Sequence, residues 1–107
     1  IGIERVDQEK ILHCIEAHDG RVRAQTMEAK IVHDADTLEK MGPLGIVRET
    51  WKKSQIGWTT EKIIEHLKTH LKKREGNLYT SESKEKAAKL NRILESFFEV
   101  IDEQLRE

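Results

Sequence analysis

Apolar side chains recur every three or four residues along most of this chain, and this periodicity restricts its fold more than any other feature. It is clearest near the C-terminus, in the series Leu90, Ile93, Leu94, Phe97, Phe98, Ile101 and Leu105. Such spacing places the side chains on one face of an α-helix, whereas the two-residue alternation of a half-buried strand is absent from the sequence. We therefore predict an all-α helical bundle.

Capping residues and helix breakers divide the chain into about five helices. The predicted segments run from Asp7 to about Ala17, from Thr26 to Lys40, from Leu44 to about Lys53, from Thr60 to Gly76, and from Ser81 or Ser83 to near the C-terminus. Asp, Ser and Thr begin helices because their side chains accept hydrogen bonds from unpaired N–H groups of the first turn. Gly42 and Pro43 are expected to stop the second helix.

The supply of apolar residues is small for a self-contained core. Hydrophobic residues make up 36% of the 107 residues, charged residues also make up 36%, and the mean hydropathy is −0.68. Ordinary globular domains contain about 45–50% apolar residues when glycine is counted. We predict a single domain over residues 1–107, either a thin helical layer that another chain completes or a portion of a longer protein.

The charge balance argues against nucleic acid as a ligand. Nineteen Lys and Arg oppose twenty Asp and Glu, for a formal net charge of −1, whereas nucleic-acid binders usually carry a basic excess. Cys14 is the only cysteine, so no internal disulfide forms. No segment reaches the roughly eighteen apolar residues of a membrane span. We expect a cytoplasmic protein with no membrane partner, and a homo-oligomer is one way to cover its apolar faces.

The second predicted helix carries the densest run of groups able to bind a metal. They are Glu28, His33, Asp34, Asp36 and Glu39. The apolar stripe predicted for the same helix is Met27, Ile31, Ala35, Leu38 and Met41. Asp34 and Asp36 point roughly 200° apart, so both do not reach one metal without distorting the helix. Asp34 lies nearer the stripe, where an ion pair with Lys30 would account for it, and the spacing leaves open which aspartate serves a site.

A long motif around these residues resembles a segment of the HD-domain metal-dependent phosphohydrolases. From Thr26 to Arg48 the sequence reads TMEAKIVHDADTLEKMGPLGIVR. It is similar to the family's stretch E-A-K-I-V-x-D-A-D-x-L-(D/E)-x-x-G-x-x-G-I-x-R, which follows a helix ending in I-x-x-H. Here that ending is matched by Ile15 to His18. The later Leu78-Tyr79-Thr80, followed by a long helix, is also similar to the family's ending, so the resemblance covers most of the chain.

The resemblance implies a helical domain that binds one or two divalent metal ions, Mn²⁺, Mg²⁺ or similar, through a motif written H…HD…D. In that family the metal ions bind a phosphate ester or anhydride and supply an activated water. The motif match assigns the final Asp to Asp36, and Asp34 is the alternative ligand. The expected substrate is a small phosphorylated compound, such as a nucleotide or a related metabolite.

The same resemblance suggests roles for three further residues. His18 is similar to a family histidine near the metal centre, and the resemblance leaves open whether it binds the metal directly, supports a ligand of the metal or contacts the substrate phosphate. Arg48 is a candidate phosphate contact, because a guanidinium matches two phosphate oxygens at once; the alternative is a salt bridge to Glu49 or Glu39. Glu28 either orients a ligand or the attacking water, or is a first-turn carboxylate favoured by the helix dipole.

The first His and the His-Asp pair of the family motif have no counterpart in this sequence. A text match would offer His13 and His18–Asp19, but they lie too close to Asp36 along the chain, and Asp19 follows a helix rather than lying within one. The chain is therefore expected to be the C-terminal portion of an HD domain, with the missing ligands upstream of Ile1. Alone it should bind metal poorly, because divalent cations need several protein ligands.

His66 and His70 lie four residues apart on the fourth predicted helix, a spacing at which two imidazoles share a metal. The neighbouring Glu65 points elsewhere on the helix, so surface or partly buried histidines are the favoured interpretation.

Two functions from different classes follow. The leading hypothesis is hydrolysis of a phosphomonoester or phosphoanhydride, with the activity residing in a longer parent protein. The alternative is a non-catalytic helical module of the same scaffold, used for association or ligand sensing through the apolar stripe from Leu90 to Leu105.

Overall fold

The computed structural model describes residues 5–71 and 76–106. Within these ranges the backbone forms five helices and no strand: α1 (Arg5–Ala17), α2 (Met27–Glu39), α3 (Gly42–Gln55), α4 (Thr60–His70) and α5 (Ser81–Arg106). The prediction of an all-α fold with about five helices is confirmed. None of the helices in the described part of the chain is long and apolar enough to cross a membrane.

The first two helices begin close to the predicted residues. Thr26 caps α2, and its side chain accepts a hydrogen bond from the backbone N–H of Ala29 at 3.1 Å. The prediction that Asp7 caps the first helix is wrong, because α1 already includes Arg5. Asp7 lies instead in the first turn, where a carboxylate favours the positive end of the helix dipole.

The fourth helix starts and ends earlier than predicted. Thr59, rather than Thr60, is its cap, since the Thr59 hydroxyl accepts a hydrogen bond from the backbone N–H of Lys62 at 3.2 Å. The helix ends at His70 rather than near Gly76, and residues 72–75 lie outside the described part of the chain. Adjacent threonines satisfy the same local pattern, so the pattern alone does not choose between them.

Two glycines make the turn from α2 to α3 tight. Gly42 and Pro43 separate the helices as predicted, but they form the first turn of α3 rather than preceding it. Proline is tolerated there because a first-turn N–H has no helical acceptor. A Cβ on Gly42, whose φ is +62°, would lie 2.7 Å from Leu90 Cδ2, and one on Gly45 would lie 2.2 Å from the carbonyl oxygen of Lys40. Both positions therefore require glycine.

The larger hydrophobic core lies between α3, α4 and α5. Its buried members are Ile63, Leu67, Leu71, Leu94 and Phe98, with Ile46 and Trp58 packed against them. On α5, Leu94 and Phe98 are buried, whereas Ile93 and Phe97 of the same periodic series are 43% and 37% exposed. The long helix thus buries only a narrow part of its apolar face within this chain.

Two smaller apolar clusters attach α2 to the rest of the fold. The first joins Ala17, Ala24 and Ala29 with the half-buried Cys14 and Tyr79. The second joins Met41, Leu78 and Ala87 with Leu38 and Leu90. Together they hold the connection that precedes α5 against the side of α2, and this packing positions the candidate site.

The buried face of α2 is opposite in character to the predicted one. Met27 and Ile31, two members of the predicted apolar stripe, are 60% and 55% exposed. The buried residues of the helix are Ala29, His33, Asp34 and Thr37. The stripe prediction is therefore wrong for Met27 and Ile31, whereas Leu38 and Met41 do pack in an apolar cluster. Hydrogen bonds to Asp34 and the apolar contacts of Ala29 turn the other side of α2 inward.

The fold is elongated and leaves much apolar surface uncovered. The Cα radius of gyration is 17.1 Å, against about 13 Å for a compact domain of this length. Large side chains such as Ile15 on α1 and Trp51 on α3 are 59% and 64% exposed.

Candidate functional site

Asp34 is buried, and its carboxylate is fully occupied by hydrogen bonds from the protein. The backbone N–H of Tyr79 donates to both carboxylate oxygens, at 3.0 and 3.2 Å, and the backbone N–H of Thr80 donates to Oδ2 at 2.9 Å. His33 Nδ1 lies 3.2 Å from Oδ1, and because a carboxylate only accepts, this ring nitrogen is the donor. The partners are therefore different from the Lys30 ion pair that the helical spacing suggested.

Opposing effects act on the acidity of Asp34, and the hydrogen bonds prevail. Burial alone would raise the pKa of the carboxyl, because it penalises the charged form. The backbone N–H groups of Tyr79 and Thr80, with further hydrogen bonds from His33 and the Thr80 side chain, favour the charged form and hold the pKa below its ordinary value. Asp34 is thus an ionised carboxylate that stabilises the connection before α5.

Tyr79 continues this network towards the loop between α1 and α2. Its ring packs edge-on against the His33 ring, with centroids 4.9 Å apart. Its hydroxyl oxygen accepts a hydrogen bond from the backbone N–H of Ala24 at 3.0 Å. The Tyr79 side chain therefore joins three separate segments of the chain around one buried carboxylate.

Asp36 has a different environment from Asp34. Its half-buried carboxylate pairs with Lys40 Nζ at 2.7 Å, one helical turn later. It borders a cavity of about 390 Å³, here called the polar cavity, whose lining residues are Asp19, Gly20, His33, Asp36, Thr37, Lys40, His70, Asn77 and Tyr79. Of the two candidate metal ligands, Asp36 is the one whose carboxylate faces open space while Asp34 is engaged by backbone N–H groups.

Asp36 also borders a second depression, here called the apolar groove. Its lining residues are Ile11, Cys14, Ile15, His18, Val32 and Asp36. His18 Nδ1 forms a hydrogen bond with the carbonyl oxygen of Ile15, and since a carbonyl only accepts, Nδ1 carries the proton. The neutral ring then has its lone pair on Nε2, the nitrogen that can bind a metal or take up a proton. The structure thus brings the predicted residues His18 and Asp36 to one groove.

Arg48 and Glu28 lie apart from this pair. Arg48 forms an exposed salt bridge with Glu39 at 3.4 Å, one of the two alternatives that the sequence left open, and it lines a separate depression with Lys40 and Gly45. Glu28 is exposed in the first turn of α2. It precedes Asp36 by two turns, about 12 Å along the helix axis.

His13 and Asp19, the rejected counterparts of the family's first ligands, both have local partners. His13 Nε2 accepts a hydrogen bond from the backbone N–H of Gln25 at 2.9 Å. The Asp19 carboxylate accepts from the backbone N–H of Arg21 at 3.1 Å and pairs with its guanidinium, and the backbone hydrogen bond is the main reason that the pKa of Asp19 lies below its ordinary value. Asp19 nevertheless lines the polar cavity with Asp36.

Several residues of the polar cavity were not predicted from the sequence. Lys40 carried a detectable signal, because it follows Asp36 at the four-residue spacing of helical ion pairs. No local spacing linked Asn77 and Tyr79 to Asp36, since they lie more than forty residues from it along the chain and only the tertiary fold brings them there.

No protein-family model, curated protein or solved structure matches this chain. The resemblance to the HD-domain phosphohydrolases therefore rests on the motif from Thr26 to Arg48 and stays a prediction.

Proposed function

We propose that this chain is the C-terminal part of an HD-type metal-dependent phosphohydrolase that acts on a small phosphorylated substrate. The observation that carries the proposal is the contrast between the two aspartates of the motif. Asp34 is engaged by backbone N–H groups, whereas the half-buried Asp36 borders two depressions. A metal ligand has to face a cavity, whereas a structural carboxylate is held by hydrogen bonds within the protein. Asp36 and Asp34 differ in this way.

The described residues fit part of a divalent metal site. Asp36 offers a carboxylate oxygen, and Asp19 lines the same cavity, but Mg²⁺ and Mn²⁺ need more ligands than these two groups supply. The resemblance attributes the first His and the His-Asp pair to a preceding segment. Packing of that segment in the apolar groove would bring its ligands next to Asp36 and cover side chains such as Ile15 and Val32.

The proposed chemistry assigns a role to each polar residue near Asp36. A bound metal supplies a polarised phosphoryl oxygen and a water of lowered pKa. Asp36 holds the metal, with Lys40 released from its ion pair to meet the phosphate. His18 carries its proton on Nδ1, so its Nε2 can accept a proton in transfer, and once protonated there it can donate a hydrogen bond to a phosphate oxygen. Arg48 and Glu28 lie outside both depressions and reach the substrate only if their side chains reorient.

The test is phosphatase activity in the longer protein that includes the preceding segment. Hydrolysis of p-nitrophenyl phosphate and of nucleoside mono- and triphosphates should be assayed with Mn²⁺ and with Mg²⁺. Asp36→Asn is expected to lower kcat/KM by about 100-fold or more, since even loss of an outer partner of a metal ligand costs about 10–100-fold. Glu82→Gln, an exposed charge change at the start of α5, is the control and should retain full activity. A longer protein whose activity ignores Asp36→Asn contradicts the proposal.

The second candidate function is a non-catalytic association module, and the exposed apolar side chains of α1, α3 and α5 favour it. A module of this kind would bind no metal through Asp36 and hydrolyse none of the substrates in either form of the protein. It would instead show reversible self-association or partner binding by analytical ultracentrifugation.

For either function we expect a cytoplasmic location, because Cys14 is the only cysteine of this sequence and forms no internal disulfide.

A further inference from the structure

Three metal-binding side chains meet between α3 and α4, and none of them belongs to the HD-type motif ligands. Glu49 lies on α3, and His66 and His70 lie one turn apart on α4. One ligand atom from each residue lies within 4.8 Å of the other two. The acidic third ligand that the helical spacing of the histidines lacked is thus supplied by a different helix.

Glu49 is a buried carboxylate of α3 that is hydrogen-bonded to α4. It is 8% exposed, and its Oε1 accepts a hydrogen bond from His66 Nε2 at 2.9 Å. Burial would raise the pKa of Glu49, but the His66 hydrogen bond and the nearby Lys52, His70 and Lys53 outweigh this effect and lower it. The carboxylate is therefore ionised at neutral pH and able to bind a cation.

The two imidazoles are also held in place by the fold. The His66 and His70 rings stack with their centroids 4.8 Å apart and an interplanar angle of 19°. Trp58 packs edge-on against His66 with a centroid distance of 5.2 Å. These ring contacts hold both imidazoles close to the Glu49 carboxylate.

We propose that Glu49, His66 and His70 bind one Zn²⁺ ion, with water in the fourth position. Zinc accepts imidazole nitrogen and carboxylate oxygen in tetrahedral geometry, and two histidines with one glutamate form one of its usual three-ligand sets. His70 also lines the polar cavity, which gives the fourth position access to solvent. The ion would take the place of the proton that His66 shares with Glu49.

Only small side-chain shifts are needed to form this site. Ligand atoms of a tetrahedral zinc lie about 3.3–3.5 Å apart, given bonds of about 2.0–2.2 Å. The pair at 2.9 Å must therefore open slightly, and atoms as far apart as 4.8 Å must close by little more than a bond length.

Lys53 is the competing cation at this site. Its Nζ lies 3.8 Å from Glu49 Oε1 and 4.8 Å from the centroid of the Trp58 ring. Zinc binding would repel the ammonium group from Glu49, and the face of Trp58 gives it an alternative position. Removal of the Lys53 charge should therefore strengthen zinc binding. If Glu49, His66 and His70 instead serve only as an ion-paired cluster, the same change would weaken the electrostatic interactions of that cluster.

The test is zinc titration of this chain by isothermal calorimetry, with thermal unfolding as a second readout. The expected result is one Zn²⁺ per chain and a rise in Tm of about 10 °C when zinc is at a hundredfold excess over Kd. His66→Ala and His70→Ala should each weaken binding by at least the roughly 10–100-fold that loss of an outer partner costs. Lys53→Gln should tighten it by about 3- to 10-fold.

Two controls locate the ion. Glu65→Ala removes an exposed acidic group from the same helix, and Asp36→Ala removes the ligand of the proposed phosphohydrolase site; both should bind zinc like the unaltered chain. If a variant unfolds, the ring ¹⁵N resonances of the histidines in the unaltered chain still report which histidines bind zinc. Zinc should shift the signals of His66 and His70 and leave those of His13 and His18 in place. No binding, binding that survives His66→Ala, or shifts at other histidines would overturn the proposal.

Discussion

The carboxylate Oδ2 of Asp34 lies 2.9 Å from the backbone nitrogen of Thr80, and this hydrogen bond joins α2 to the start of α5 across 46 residues. Thr80 in turn caps α5, since its hydroxyl accepts a hydrogen bond from the backbone N–H of Ser83 at 3.1 Å. One buried acidic side chain thus determines how the longest helix of the fold is attached.

Replacement of Asp34 should destabilise the fold. Asp34→Ala leaves the N–H groups of Tyr79 and Thr80 buried without an acceptor, and we expect a loss of about 2–3 kcal/mol in the free energy of unfolding. Urea unfolding followed by circular dichroism measures it. Asp36→Ala is the matched control two residues away, where loss of a partly exposed ion pair should cost about 1 kcal/mol or less. Equal losses in the two variants would contradict the assigned roles.

The stability contributed by Asp34 should depend on pH. Because the folded pKa of Asp34 lies below its ordinary value near 3.8, the unfolded chain takes up the proton first as the pH falls. The contribution is therefore fully present above about pH 5 and is lost as the pH drops through the unfolded and then the folded pKa. Subtraction of the Asp34→Asn profile from that of the unaltered chain isolates it. A difference that stays constant between pH 6 and pH 2.5 would rule out this linkage.

Gly45 should not tolerate any side chain. In Gly45→Ala the new Cβ would lie 2.2 Å from the Lys40 carbonyl oxygen, so the turn between α2 and α3 must open. We expect a loss of about 3 kcal/mol or more, which exceeds the gain of roughly 0.5–1 kcal/mol from alanine in a helix. The new Cβ in Gly76→Ala meets no atom of the described residues within 4 Å, so this variant serves as the control in the same thermal unfolding experiment. A Gly45→Ala protein as stable as the control would disprove the close approach.

The hydroxyl of Tyr79 should contribute to stability separately from its ring. Tyr79→Phe keeps the edge-on contact with His33 but leaves the N–H of Ala24 without its acceptor. The expected cost is about 1–1.5 kcal/mol, with faster amide hydrogen exchange at Ala24 and little change on α4. Unchanged exchange at Ala24 would show that water replaces the hydroxyl.

Polar replacements in the apolar groove should leave the fold of this chain intact. Ile15 and Val32 are 59% and 41% exposed, so Ile15→Gln with Val32→Gln should change the free energy of unfolding by less than about 1 kcal/mol. If these side chains cover a partner surface, the double variant should associate less in sedimentation velocity experiments. A large loss of stability would instead mean that they already pack within the fold.

The positions of the helices could be predicted from the sequence because their signals are local. The Thr26 cap, the Gly42–Pro43 break and the periodicity of residues 90–105 act over one or two turns. The motif match also selected Asp36 over Asp34 as the candidate ligand, a choice that the helical spacing alone did not make.

Only the tertiary structure decided which side of each helix is buried and which distant groups meet. The buried side of α2 holds His33 and Asp34 because their partners, Tyr79 and Thr80, lie more than forty residues away. In the same way, Glu49 meets His66 only because α3 packs against α4. A helical period records where apolar side chains fall on one helix, but it contains no information on the hydrogen-bond partners that other segments bring. For this chain the sequence determined where the helices lie, and long-range hydrogen bonds determined the environments of Asp34 and Glu49.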